Sequence, residues 1–399
     1  MNHRSMLLRS SLVLLCAASL AGCSTVKGWF GGDKKKDDGK PTDPVELVKI
    51  TPTVTVSKIW SANAGKGEGR MGLRQGPVVA DGRVFAAAVE GGVHAFDLQT
   101  GKQIWEYRPD KKANVQISGG PGVGDGLVVV GGLDGQVIAL DASTGEEKWQ
   151  AKVPNEVIAA PSIGMNMVFV RSNDGRVTAL DAATGERRWF WVQDVPMLSV
   201  RGNDSPVLGP GFVFVGSDDG TVSALSATDG RPLWEIPVAQ PEGRTELDRM
   251  SDIDGSPVLE GTTLFVSSFK KTTMAIDAPS GRPMWSSEHG GPGRLGVGSE
   301  RLVVTDPTGL VFGLDKAGGS AMWQQDGLAR RNVTGAAIQG DYAIVGDFDG
   351  YVHWLKLEDG SFAARERVGG KALRAAPVVA DGIAIVQNVG GELTAFRLQ

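Results

Sequence analysis

Gln136-Val137-Ile138-Ala139-Leu140-Asp141-Ala142-Ser143-Thr144-Gly145-Glu146-Glu147-Lys148-Trp149 is the stretch that decides the fold. Its first half alternates apolar with small or polar residues and is rich in β-branched side chains, the pattern of a half-buried strand. Its second half is turn chemistry: Asp and Thr side chains can bond nearby backbone, and glycine accepts a positive φ. A tryptophan follows the glycine by four residues. The pattern recurs along the chain, with anchors at Asp97, Asp141, Asp181, Ser226, Asp277, Asp315, Lys356 and Arg397. The steps between anchors are 44, 40, 45, 51, 38, 41 and 41 residues, a period that indicates four-stranded propeller blades. The spacing predicts an all-β chain, an eight-bladed β-propeller of four-stranded antiparallel blades.

Gly101 and Trp105, Gly145 and Trp149, Gly185 and Trp189, Gly230 and Trp234, Gly281 and Trp285, and Gly319 and Trp323 repeat the spacing. Upstream, Pro77 with Asp81-Gly82 and Pro377 with Asp381-Gly382 mark a strand start and a tight turn. The last copy stops at Gln399, before a tryptophan, while Trp60 stands unmatched in Val54-Thr-Val-Ser-Lys-Ile-Trp60. This N-terminal segment is therefore expected to supply the outer strand of the last blade and close the ring, pairing edges that would otherwise be free. In the seventh copy Lys356 and Ala364 occupy the anchor and tryptophan places, so that blade is expected to dock most weakly. As a packing device, a buried indole contributes a few kcal/mol by area, roughly 1.5–3 for a large apolar side chain.

The chain divides on this reading into residues 1–22, a signal segment, 23–50, a lipidated cysteine and tether, and 51–399, the ring. Arg4 and Arg9 precede an apolar run from Leu12 to Leu20, and Leu20-Ala21-Gly22-Cys23 resembles a bacterial lipobox. That resemblance implies acylation of Cys23 and cleavage before it, and Ser24 in the next place implies delivery to the outer membrane. Cys16 lies in the segment to be removed, so stability is expected to come from sheet packing and not from disulfides. The tract Gly31-Gly32-Asp33-Lys34-Lys35-Lys36-Asp37-Asp38-Gly39-Lys40 has almost nothing to bury and reads as a flexible tether. Loss of Arg4 and Arg9 moves the net charge from -5 to about -7, which argues against nucleic acid as a partner. Glycine, at 56 of 399 residues, is about twice its ordinary share of ~7%, as tight turns require.

Catalytic constellations are scarce. His94, His289 and His353 fall in different repeats without metal-ligand spacing, and His94 and His353 hold corresponding strand positions that packing explains. Asp252-Ile253-Asp254-Gly255 opens like a calcium loop but lacks the later acidic ligand. Two connections between blades carry more. The one from Trp234 to Pro257 is long and dense in charge, through Glu242, Arg244, Glu246, Asp248, Arg249, Asp252 and Asp254. The one from Trp189 to Pro206 has ordinary length but carries Leu198, Val200 and Arg201 where polar turn residues would suffice. Both join an outer strand to the next inner strand in consecutive blades, so they share one face. A small apolar anchor flanked by arginine and carboxylates fits a protein-binding hot spot. Mutual pairing of the same groups over the mouth of the ring is the alternative.

The tryptophan repeat resembles that of quinoprotein dehydrogenases, which bind pyrroloquinoline quinone with calcium on the ring axis and commonly carry a disulfide of neighbouring cysteines. The ring region here has no cysteine. The lipobox, the tether, the eight repeats and the two connection motifs together resemble the BamB family, lipoproteins of the β-barrel assembly machinery of Gram-negative bacteria. That resemblance implies a scaffold without enzymatic activity or cofactor. It would bind the periplasmic POTRA domains of BamA through Leu198, Val200, Arg201, Asp252 and Asp254, with Asp248 and Arg249 adjoining, and would sit among the other machinery subunits. A quinone-dependent oxidoreductase is the alternative, and blade edges that hold unfolded outer-membrane chains by strand addition are a third reading.

Overall fold

In the computed structural model the described residues are 42–68, 71–110, 115–196, 198, 204–240, 244–245 and 250–399. Residues Pro44–Gln399 form one unit, and Thr42 and Asp43 belong to another. No helix among the described residues is long and apolar enough to cross a membrane. The ring unit holds eight four-stranded antiparallel sheets. Blades one to seven span 78–107, 117–152, 162–192, 207–237, 258–287, 296–325 and 337–367, each running from its inner to its outer strand in chain order. Blade eight takes three strands from 378–398 and its outer strand from Val56–Asn63, which pairs antiparallel with Glu392–Leu398 from Val56 opposite Leu398 to Asn63 opposite Glu392. The chain thus closes its own ring, and eight blades stand as the spacing predicts.

Seven of the eight seams are built alike. The indole Nε1 of each outer-strand tryptophan donates to the carbonyl that follows the anchor of the next blade: Trp60 to Leu98 at 2.9 Å, Trp105 to Ala142 at 3.0 Å, and Trp149 to Ala182 at 2.8 Å. Trp189 reaches Ala227, Trp234 reaches Ala278, Trp285 reaches Lys316 and Trp323 reaches Leu357 in the same way. The ring face lies on the turn glycine of that next blade. A Cβ built on Gly145, whose φ is +77°, would stand 2.6 Å from the indole of Trp105, so this site needs glycine for both its backbone and its lack of a side chain. A phenylalanine of the second strand packs under several of these indoles, as Phe85 does under Trp105 with ring centroids 5.8 Å apart.

The eighth seam, between blades seven and eight, differs for a topological reason. Blade eight ends at Gln399 and draws its outer strand from the N-terminus, so it has no turn between third and fourth strands and offers no glycine for an indole to lie on. Blade seven accordingly reverses the usual cross-strand pair. Where other blades set an alanine, or in blade six Gly313, opposite the tryptophan, as with Ala139 and Trp149, Trp354 stands on the third strand opposite Ala364. Trp354 is fully buried, donates to Gln339 Oε1 at 2.9 Å, and meets Phe396 of blade eight edge-on at 5.3 Å. Gln339 donates in turn to the Gly382 carbonyl of blade eight at 2.8 Å. This seam lacks the indole-to-carbonyl bond, as Ala364 implied, yet it keeps an indole, moved one strand inward.

The segment 44–56 completes the closure. Val54 and Val56 pack beside Trp354, and Leu47 packs near Leu328 and Phe362. Val45 N donates to Ala329 O at 3.1 Å, Arg331 donates to Val45 O at 3.2 Å, and Arg365 donates to Val48 O at 2.8 Å. Residues 44–50, expected within the tether, therefore lie along the ring. Arg365 Nε also donates to His353 Nδ1 at 3.1 Å, which leaves the proton on Nε2, 3.2 Å from Asp347 Oδ2. His353 is thus a packed, bonded core group.

Replacing Trp354 with Ala leaves a cavity at the eighth seam and should cost about 3–5 kcal/mol, read as a lowered unfolding midpoint. Adding Ala364→Trp to that variant should not restore the midpoint, because the glycine that would support the indole does not exist there. Full recovery in the double variant would contradict this account of the seam.

Candidate functional site

The two unusual connections emerge on the face that also carries the turns between second and third strands, and beneath them lies a buried ionic group. Arg171 ends the second strand of blade three, Met167–Arg171. The register places it in line with Ala87, Gly131, Gly216, Ser267, Thr305, Gly346 and Gln387, none of them charged. Its guanidinium donates to Asp204 Oδ1, at the end of the first connection, and to Asp218 Oδ1 at 2.8 Å, on a turn of blade four. All three side chains are buried. Burial pushes the Asp204 carboxyl up to about 7; the Arg171 charge opposes this and the Asp218 carboxylate adds to it.

The second connection is tucked into the same region. Ile253 is fully buried between blades four and five, near Phe214 and Leu264. Its N–H donates to Ser217 O at 3.2 Å, and Asp252 O accepts from Phe269 N at 2.8 Å. This backbone anchoring carries the neighbouring acids inward: Asp252 is 0% exposed and Asp254 5%. Burial raises the Asp254 carboxyl well above the usual range, Arg74 opposes this from 4.0 Å, and the charges of Asp252 and Asp218 reinforce it. Ser205 N donates to Ser256 Oγ at 3.0 Å, so the ends of the two connections are joined.

The described apolar side chains of the first connection are open to solvent. Leu198 is 47% exposed and Val195 39%. The outer strand that feeds them, Arg187–Val192, also departs from its counterparts. Phe190, next after the tryptophan, is exposed where the other outer strands place Ser61, Glu106, Gln150, Glu235, Ser286, Gln324 and Arg365. Val192, two further on, is exposed as well. Arg176 lies over the Phe190 ring at 4.5 Å. An apolar strip thus runs from blade three into the connection, rimmed by cationic groups, which suits binding of a protein surface better than it suits chemistry on a small substrate.

Of the residues singled out in the sequence, the structure leaves Leu198 exposed on the first connection and buries Asp252 and Asp254 on the second, neighbouring connections of one face. Val200, Arg201, Asp248, Arg249 and Cys23 lie outside the described residues. Burial of Asp252 and Asp254 favours their role as support for neighbouring groups over direct contact with a partner. Sequence reasoning missed Arg171, Asp218 and the Phe190–Val192 strip. A lone arginine closing the apolar run Val168-Phe169-Val170 and a phenylalanine in a polar column were the available signals.

A family model described as the outer membrane protein assembly factor BamB matches residues 49–117, 111–325 and 307–398. The outer membrane protein assembly factor BamB of Xanthomonas campestris pv. campestris is 60% identical over 404 residues, covering 100% of this chain and 99% of that protein. The crystal structure of BamB from Moraxella catarrhalis superposes with a TM-score of 0.77 at 27% identity, covering 86% of this chain and 100% of that one. The quinohemoprotein alcohol dehydrogenase of Comamonas testosteroni shares the fold, with a TM-score of 0.64 at 17% identity over 86% of this chain and 76% of that one.

The raised Asp204 carboxyl gives a pH signature. Between about 4, its unfolded value, and about 7, the folded state holds a proton that the unfolded state releases, so stability falls as pH rises through that window. Asp204→Asn removes this slope. Thermal unfolding of variant and parent should therefore shift in the variant's favour between pH 5 and 8, and a shift in the parent's favour would contradict a protonated, buried Asp204.

Proposed function

The chain belongs to the family of the outer membrane protein assembly factor BamB, and from that membership and the geometry of the ring we propose that it is a scaffold of the outer-membrane β-barrel assembly machinery. It works without catalysis, held to the outer membrane by lipid on Cys23 and facing the periplasm, and it binds the POTRA domains of BamA alongside the other machinery subunits. In this role it assists folding and insertion of outer-membrane proteins. The observation that carries the reading is the exposure of Val195 and Leu198 on a connection whose end, at Asp204 and Ser205, joins a buried ionic base. Leu198 and Val200 bury against a POTRA surface, Arg201 meets a carboxylate or carbonyl there, and Asp252 and Asp254 hold the cationic side of the contact in place. Asp248 and Arg249 form the rim. A rigid base matters because a contact surface that is already ordered loses less entropy on binding. The oxidoreductase alternative has only the shared ring in its favour.

Binding of the purified chain to purified POTRA domains tests this reading. Leu198→Asp and Arg201→Ala should each weaken the complex about tenfold or more, the effect of losing a hot-spot contact, with unfolding midpoints unchanged. Parent-like affinity in both variants would sink the assignment.

A further inference from the structure

The ring axis is an open channel of about 930 Å³, within the size range of small-molecule sites, ~300–1,000 Å³. One layer of its wall is set by the residue two places before the inner-strand position that pairs with the third residue of the second strand. Register aligns Gly76, Gly120, Ala160, Ser205, Ser256, Arg294, Gly335 and Ala376 in that layer, and all eight line the channel. Seven blades place glycine, alanine or serine there, and blade six places an arginine. Packing does not account for it, since Arg294 stays exposed to the channel.

The charges around it sharpen the point. Among the described residues the wall carries Arg74, Asp204, Asp254, Arg294, Asp306 and Arg374. Arg374 pairs with Glu68 at 2.5 Å, Asp306 with Lys271 at 3.0 Å, Asp204 with Arg171, and Arg74 with Asp254 at 4.0 Å. No described residue offers the Arg294 guanidinium a hydrogen bond or an ion pair. Surrounding protein desolvates the guanidinium and lowers its pKa from the ordinary value. Its backbone is fixed: Ala336 N donates to Arg294 O at 3.0 Å, and Arg74 donates to Pro292 O at 2.8 Å.

An unpaired cation exposed in an open channel is complementary to an oxyanion, because a guanidinium offers parallel N–H donors that fit a carboxylate or a phosphate. We propose that the axial channel binds a small organic anion through Arg294, one carboxylate or phosphate group per ring. The channel wall shares Asp204 and Asp254 with the base of the connections, but a site at Arg294 uses none of their exposed apolar residues and stands whether or not the partner reading does.

Calorimetric titration of the full chain with succinate, and separately with glycerol 1-phosphate, tests the proposal and tells the two anion sources apart, with butanediol and glycerol as uncharged controls. At least one anion should bind at a single site and its control should not. Arg294→Ser restores the small residue carried by blades four and five and should fold like the parent while binding about tenfold more weakly or not at all. Arg294→Lys keeps the charge without the fork and should fall between. Absence of binding by the parent up to about 10 mM, or equal binding by parent and Arg294→Ser, overturns the proposal.

Discussion

A buried indole must place its N–H on an acceptor, and in this ring the acceptor belongs to the next blade. That requirement organises the molecule. Each docking tryptophan ties one blade to its neighbour, and the carbonyl it meets is presented by a turn whose glycine must leave room for the ring face. A net hydrogen bond is worth about 1 kcal/mol, and the buried area adds roughly 1.5–3 more. Seven such seams hold eight thin sheets that would be marginal alone. Closure by Val56–Asn63 completes the eighth blade but also removes one glycine turn. Trp354 and Gln339 are the compensation, so the exception follows from the same constraint as the rule.

The closed ring makes a buried ionic group tolerable. Arg171, Asp204 and Asp218 come from three segments of two blades, and burying such charges is costly unless each finds its partner. Blades locked in angle and register keep those partners within reach. The second connection is held there by its backbone, with Ile253 as the wedge, and Ser205 ties the end of the first connection to it through Ser256. The same rigidity defines the axis, where seven small residues and Arg294 share one layer.

The fold was legible because its signals are local. Alternation, the Asp-x-x-Thr-Gly turn and the tryptophan four residues on can be read within 14 residues of one another, and the orphan Trp60 announced the closure. The site was legible only in part. Leu198 stood out as an apolar residue in a loop, and it is exposed. Asp252 and Asp254 looked like surface acids because charged loops usually are, but Ile253 between them pulls the segment inward. Arg171 and Arg294 acquire meaning only through strand register, which aligns each with seven uncharged positions. Register is a property of paired strands and not of a single run of residues.

The claim at the centre of the account is that a rigid ring presents one face, through two joined connections, to a partner. Hydrogen exchange along the full chain, free and with purified POTRA domains of BamA, addresses it most directly, since slowed exchange marks buried or stabilised backbone. The account predicts slowing across residues 190–205 and 250–256, with the turns of the opposite face unchanged. Slowing confined to that opposite face or to the outer edges of other blades, with both connections exchanging as in the free chain, would contradict it.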